Sequence, residues 1–357
     1  MPGDARARVS VVVPARGRLR LLREALESIR AIDSSSVSLE ILVCDNGGGD
    51  AADVAQAFDA RHLLVERHGA AAARNVGIRA ATGEFLAFLD SDDVWLSGNL
   101  LPQVELLQAR PDLDAVIGQV VTTDVDRLPI SPPWPESVPN SGDLFAWFLD
   151  VYPQIGATVT RIGVRDSVGL MDEDLLGDED WDWHLRLALR HKIGFVPVPG
   201  VLFRQRPVGT FDQLQWMRLG FMGRVYFRAI AQGGSRRPGA SQILRGFIRH
   251  RREYYDYFVG SMLAHAGQGN RGQGWRSLGC AAWSSPVHAA HGILCDATVR
   301  RALRTLLTGH PFRYAADSAA DGGWPASDIP RCLTGADDLS PAAPASAASE
   351  KLHRATR

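Results

Sequence analysis

The chain has only two lysines, Lys192 and Lys351, among 39 basic residues, so almost all of its positive charge is guanidinium. That bias by itself carries no functional weight. Nor is there an excess of charge of one sign: the formal net charge is −1, which gives no whole-chain argument for nucleic acid or an anionic surface as partner. Cysteine is scarce. Cys44, Cys280, Cys295 and Cys332 lie far apart with no CxxC pair, which disfavours a zinc site and a disulfide framework and suits a reducing cytoplasm. Long apolar runs are also missing. The run inside residues 1–14 is too short for a signal peptide. Residues Ser277 to Cys295 carry no charge over 19 positions, but Pro286, His288 and His291 make the segment too polar for a convincing membrane span. Phosphate-loop, GxSxG and HExxH patterns do not occur, and the histidines are scattered, each reading as structural rather than metal-ligating.

What is present is an alternation of buried strands and amphipathic helices. Val9–Val13, Leu39–Cys44, Leu63–Glu66 and Phe85–Leu89 read as strands. Leu19–Ile32, Ala51–Phe58 and Ala70–Ala81 read as the intervening helices. The order β-α-β-α-β-α-β predicts a mainly parallel sheet covered by helices on both faces. Ligands of such sheets bind outside the carboxyl ends of the strands, where Pro14, Asp45 and Asp90 fall. Pro129 to Pro139 reads as a surface loop, Asp180–His191 as a helix and Ile193–Val198 as a strand. From about Gly209 the pattern is helical: Gln213–Ala231, Ile243–Ala266, Gly274–Trp283 and Val299–Leu307. The last forty or so residues are rich in Ala, Ser, Pro and Asp, a composition that predicts disorder.

Two constellations carry chemistry. Gly47, Gly48 and Gly49, followed by Ala52 and with Glu66 near the end of the next strand, fit a dinucleotide-binding turn. Against that stand its position in the second βα unit and the carboxylate of Asp45 just before the glycines. The second is Asp90, Asp92 and Asp93, three carboxylates within four residues after a buried strand. They repel one another unless a cation or hydrogen bonds compensate. Mg2+ or Mn2+, which take one or two carboxylates plus substrate phosphates, would suit them; a solvated turn capping the next helix is the plainer reading.

At this point the sequence resembles the inverting glycosyltransferase family 2, with its GT-A fold. The resemblance runs from about Val9 to Gly209 and is carried by ordered blocks: 9–18, 41–50, 69–78, 81–95, 168–175 and 179–183. It implies a single sugar transferred from a nucleotide-sugar donor, UDP-linked by preference, to a hydroxyl of a glycan, lipid-linked or small-molecule acceptor, as in bacterial polysaccharide or glycoconjugate assembly. It further implies that Pro14, Arg16, Asp45, Arg74, Asp90 and Arg206 line the donor site. Asp45 would meet the base, and Asp90 the ribose or the waters of the metal. Asp92 would ligate Mg2+ or Mn2+, Asp93 would shape the turn, and Asn75 would support the backbone. Met171, Asp172 and Glu173 fall in an acceptor-side block. The catalytic base falls on Asp180, with Glu179 in reserve, where the bland alternative for either acid is a helix cap.

Two positions depart from the family pattern. The opening loop, Pro14 to Arg18, lacks the usual Thr and Asn, and Arg206 stands where a His is common; Arg206 can pair with a diphosphate but cannot ligate a metal. The expected division is a tail at 1–8, a GT-A catalytic domain at 9–209, an all-helical extension at 210–315 and a disordered tail at 316–357. Basic, aromatic stretches such as 216–221 and 247–255 could rest on the inner face of a membrane or simply pack on the catalytic domain. The alternatives are a nicotinamide-dinucleotide oxidoreductase, resting on the Gly47–Ala52 turn, and a non-catalytic sugar-nucleotide-binding protein, resting on the altered opening loop.

Overall fold

Runs of β-branched and aliphatic residues give the central strands their two buried faces. Val9, Val11 and Val13 point to one side of β1 (Ala7–Ala15), and Val12 to the other. The computed structural model describes residues 6–33, 35–139, 142–206 and 212–309. After β1 come α1 (Leu19–Arg30), β2 (Val37–Asp45), α2 (Ala52–Ala57), β3 (Arg61–Leu64), α3 (Ala70–Ala80), β4 (Phe85–Phe88) and β5 (Val94–Trp95). The chain continues through α4 (Leu100–Ala109), β6 (Ala115–Thr123), α5 (Phe145–Phe148), β7 (Thr158–Arg161), α6 (Val164–Val168), α7 (Glu179–Arg190) and β8 (Ile193–Arg204). Five helices close the described chain: α8 (Asp212–Gln232), α9 (Ala240–Gly267), α10 (Arg271–Ser284), α11 (Pro286–Cys295) and α12 (Ala297–Thr308).

The eight strands form one sheet in the order β3-β2-β1-β4-β7-β6-β8-β5. The half read from the sequence is parallel throughout, as β2 and β4 flank β1 and β3 pairs with β2. The other half makes the sheet mixed, because β7 runs antiparallel to both β4 and β6, and β5 antiparallel to β8. Strands β6 and β7 and helix α4 had no counterpart in the sequence reading. Strand β8 also runs on to Arg204 rather than stopping at Val198. Pro199 is accommodated because the β6–β8 ladder shifts register around Gln119, so a bulge absorbs its missing donor.

One sheet face packs on α1 and α4 through Leu22, Leu26, Ile29, Val104 and Leu107. The other packs on α3, α7, α8 and α9 through Phe88, Trp181, Trp183, Tyr226 and Phe258. Each such fully buried side chain contributes roughly 1.5–3 kcal/mol. Helix α3 lies close on β1 because Gly77 faces Val12; a Cβ there would come within 2.4 Å of Val12 Cγ1. The helical part therefore shares a core with the sheet layer. The proposed boundary near 209–210 and the tail at 316–357 lie outside the described residues. The uncharged segment from Ser277 to Cys295 divides at Ser285 into α10 and α11, with Pro286 in the first turn of α11, a position its fixed φ favours. Among the described residues no helix is long and apolar enough to cross a membrane.

Candidate active site

The carboxyl ends of β1, β2 and β4 meet at one edge, and each ends in a turn that carries expected site residues. After β1, Gly17 and Arg18 both take left-handed backbone angles (φ 58° and 51°) before α1 begins. Pro14 is half-buried in register with Cys44, and Arg16 is exposed.

After β2, Asp45 is fully buried. Its carboxylate accepts hydrogen bonds from the amides of Gly47 (2.7 Å) and Ala51 (3.0 Å) and contacts His62 Nε2 (2.9 Å). Burial acts to raise its pKa, but the His62 and amide hydrogen bonds outweigh it and hold the carboxyl below the usual range. The Gly47–Gly49 turn is thus closed on its own carboxylate. Two of the amides available to a pyrophosphate in the dinucleotide reading, those of Gly47 and Ala51, are already engaged, and the following helix α2 has only six residues.

After β4, the acidic turn is closed by the Asp93 amide donating to the Asp90 carbonyl (3.0 Å). Its three carboxylates do not converge. Asp90 accepts from Arg74 Nη2 at 2.6 Å. Asp92 pairs with Arg18 at 3.4 Å and also with Arg206. Asp93 turns inward and accepts from the Arg204 amide at 2.9 Å; burial and the nearby Asp90 charge push its pKa well above the carboxylate range. The repulsion noted in the sequence is therefore relieved by three guanidiniums and an amide. Burial and the Arg18 charge bring the pKa of Arg206 down to about 10, which leaves it cationic at neutral pH.

Arg74 is the centre of the arrangement. It is only 4% exposed and holds Asp90 with Nη2 and Glu179 Oε1 with Nη1 at 2.7 Å, joining the acidic turn to the start of α7. Although it sits on helix α3, the structure buries it. Glu179 is buried against that guanidinium, and burial raises its pKa despite Arg74. Asp180 is different. It is half-buried, and its carboxylate is bonded only by the Trp181 amide at 2.8 Å, with no ion pair among the described residues. Of the two acids it is the one with oxygens left to meet a substrate.

The acceptor-side block is held by polar partners. The Asn75 amide clips the backbone of Met171 in both directions (3.0 and 2.9 Å) and reaches Glu173 at 2.8 Å. Glu173 also pairs with Arg67 at 3.2 Å, and Asp172 with Arg224 and Arg228 of α8 at 3.1 and 2.9 Å. The sequence reading missed Asp178, buried just before α7, which is gripped by Arg218 of α8 at 2.8 Å and by the Tyr254 hydroxyl of α9 at 3.3 Å. No local signal marks pairings across 40 and 76 positions. Gly177 makes room for Arg218: its φ is +142° and an added Cβ would lie 2.4 Å from Arg218 Cγ. Gly177→Ala is expected to lower stability by about 1–3 kcal/mol from combined strain and overlap. An unchanged urea midpoint would contradict this.

His184, one turn into α7, contacts the Asp180 carbonyl through Nδ1 (2.8 Å) and Thr158 Oγ1 through Nε2 (2.9 Å). Burial lowers its pKa to about 4, against the raising effect of the Asp180 charge. A histidine depressed below its unfolded value near 6.5 stabilises the fold fully above that pH and loses the contribution as pH falls toward about 4. Unfolding midpoints between pH 7 and 4.5 should therefore drop more steeply for the native chain than for His184→Gln. Equal slopes would argue against a buried neutral imidazole.

Among the described residues, no group of three or more His, Cys, Asp or Glu side chains is arranged to hold a metal. Asp90 and Asp92 stand on one turn but face different guanidiniums, so they offer a metal two separate carboxylates at most. That chemistry fits Mg2+ or Mn2+ when substrate phosphates complete the shell, and does not fit an all-protein cage.

Residues 10–162 match the family model described as glycosyl transferase family 2. The uncharacterized glycosyltransferase YwdF of Bacillus subtilis (strain 168) is 25% identical over 210 residues, covering 55% of this chain and 74% of that protein. UDP-Glc:α-D-GlcNAc-diphosphoundecaprenol β-1,3-glucosyltransferase WfgD of Escherichia coli is 32% identical over 104 residues, covering 28% of this chain and 40% of that protein. Among solved structures, mannosyltransferase PcManGT from Pyrobaculum calidifontis, in complex with GDP-Man and Mn2+, is 19% identical with a TM-score of 0.47, covering 85% of this chain and 88% of that one. The chain spans less than half the length of most curated relatives it matches.

Proposed function

We propose, from the premise that the chain carries a glycosyltransferase family 2 domain across residues 10–162, that it moves a single sugar from a nucleotide-sugar donor, UDP-linked by preference, to an acceptor hydroxyl with inversion at the anomeric carbon. The observation that supports this reading best is the Arg74 bridge. It ties the acidic turn after β4 to the first turn of α7, so a donor diphosphate at one and a base at the other share one site.

In this reading Asp180 accepts the proton of the acceptor hydroxyl as its oxygen attacks the anomeric carbon. The bond from that carbon to the phosphate oxygen breaks, and the nucleoside diphosphate leaves with the electron pair. Arg18 and Arg206, both on Asp92, are placed to exchange that carboxylate for the diphosphate, for which guanidinium geometry is suited. Mg2+ or Mn2+, held by Asp92 and by Asp90 directly or through water, would neutralise charge on the departing phosphates. Asp45, expected from the sequence to meet the nucleobase directly, is buried with its carboxylate on Gly47, Ala51 and His62, so it would shape the floor beneath the nucleobase instead. The WfgD name records a UDP-glucose donor and a lipid-diphosphate acceptor, which supports a UDP-sugar donor and a glycoconjugate acceptor.

A thermal-shift series tests this. UDP with Mn2+ should raise the melting temperature in a concentration-dependent way, approaching about 2.7 kcal/mol of added stability at one hundred times Kd. EDTA should remove most of the effect. A shift with NAD and none with UDP would favour the dinucleotide reading instead.

A further inference from the structure

A cleft of about 220 Å3 opens between α8 and α9, lined by Tyr152, Gln215, Arg218, Glu253, Tyr254 and Tyr257. At about 30 Å3 per water it has room for roughly seven waters, the scale of one sugar ring. Its lining contains no aliphatic side chain. Three phenol rings, an amide, a carboxylate and a guanidinium together offer apolar faces beside hydrogen-bonding edges, which is what a polyhydroxylated ring requires.

The cleft is built against the proposed base. Two of its walls, Arg218 and Tyr254, hold Asp178, two residues before Asp180. A third, Tyr152, packs on Trp181, the residue after Asp180, with ring centroids 4.5 Å apart. The Tyr152 hydroxyl is buried and has no hydrogen-bond partner among the described residues. A ligand hydroxyl seated in the cleft that Tyr152 lines would give it that partner. Glu253 is half-exposed, and its one imidazole contact, His250 Nδ1 at 3.5 Å, is long enough to leave its acceptors available. In the proposed function the donor would lie at the sheet edge by Asp90, which Arg74 joins to Glu179.

We propose that this cleft is an acceptor subsite that receives an uncharged pyranose ring, stacked on the tyrosines and hydrogen-bonded by Glu253 and Gln215. The inference rests on the transferase reading for the word acceptor. It does not rest on it for the binding of a sugar.

Saturation-transfer NMR on the full chain tests the proposal, with the methyl glycosides of glucose, galactose, mannose and N-acetylglucosamine as probes and glycerol as control. At least one glycoside should receive saturation from the tyrosine ring protons while glycerol receives none. Tyr257→Ala and Glu253→Gln should each weaken that binding tenfold or more, with UDP–Mn2+ thermal shifts unchanged. Should Tyr257→Ala fail to fold, Gln215→Ala and Glu253→Gln read the same loss. Absence of transfer to every glycoside, or equal binding by native chain and variants, would overturn the subsite. Glycoside binding without any UDP–Mn2+ shift would keep the sugar cleft and remove the transferase reading; the reverse pattern would remove the cleft alone.

Discussion

Replacing Arg74 with methionine should lower the unfolding free energy by about 3–5 kcal/mol, the range for removing one partner of a buried ion pair. The guanidinium is almost wholly enclosed and serves two carboxylates, Asp90 and Glu179. Without it, Glu179 keeps its burial and its like-charged neighbour Asp180, both of which already raise its pKa, and loses the charge that opposes them. An acid whose folded pKa is raised loses stability as pH climbs above its unfolded value. The Arg74→Met loss should thus be larger at pH 8 than at pH 5. Adding Glu179→Gln should recover a substantial part of it, since the unpaired charge is then gone. A loss below about 1 kcal/mol, smaller than a buried-pair rupture allows, or a double variant no better than the single one, would show that the bridge does not organise this region.

Asp180→Asn should reduce the rate of sugar transfer by about a hundred- to ten-thousandfold, the usual contribution of a positioned general base. The fall should be in kcat, with UDP–Mn2+ affinity kept, because Asp180 makes no ion pair among the described residues and its exchange for an amide leaves the Arg74 bridge in place. Glu179→Gln should do the opposite, weakening the fold more than the chemistry. The larger kcat loss at Glu179, in a folded variant, would exchange the two roles. Near-native transfer by Asp180→Asn would leave the base unassigned.

The parallel half of the fold was legible because β1, β2 and β4 each carry a contiguous buried run, such as Val9–Val13 or Phe85–Phe88, and β1 and β2 are each followed by a helix. The antiparallel half was not. In β6, Gly118 and Gln119 interrupt the run, and β7 has only four residues; both are strands because β4 and β8 offer edges to them, which is a tertiary cause. Strand β8 crosses Pro197 and Pro199, punctuation that reads as an end unless the bulge opposite is known. Helix α11 was passed over because a proline after an uncharged stretch looks like a stop as much as a start.

The acids of the candidate site, and Arg74 with them, stood out in order and spacing. Their ion pairs did not. Arg206 was singled out for a donor diphosphate, not for Asp92, which it meets across 114 positions, and nothing local marks Arg218, which meets Asp178 across 40, among the 37 arginines of the chain. The acidic cluster called for a cation or hydrogen bonds as compensation. Three guanidiniums and an amide supply it in the protein alone, so a metal at this turn belongs to the proposed function, where donor phosphates would complete its shell.

The most direct test of the account is anomalous diffraction at the manganese edge from crystals grown with UDP and Mn2+. The account predicts one manganese within ligand distance of Asp92 and of a diphosphate oxygen, with Arg206 turned from Asp92 to the phosphates. Manganese elsewhere, or UDP bound away from the 90–93 turn, would contradict it.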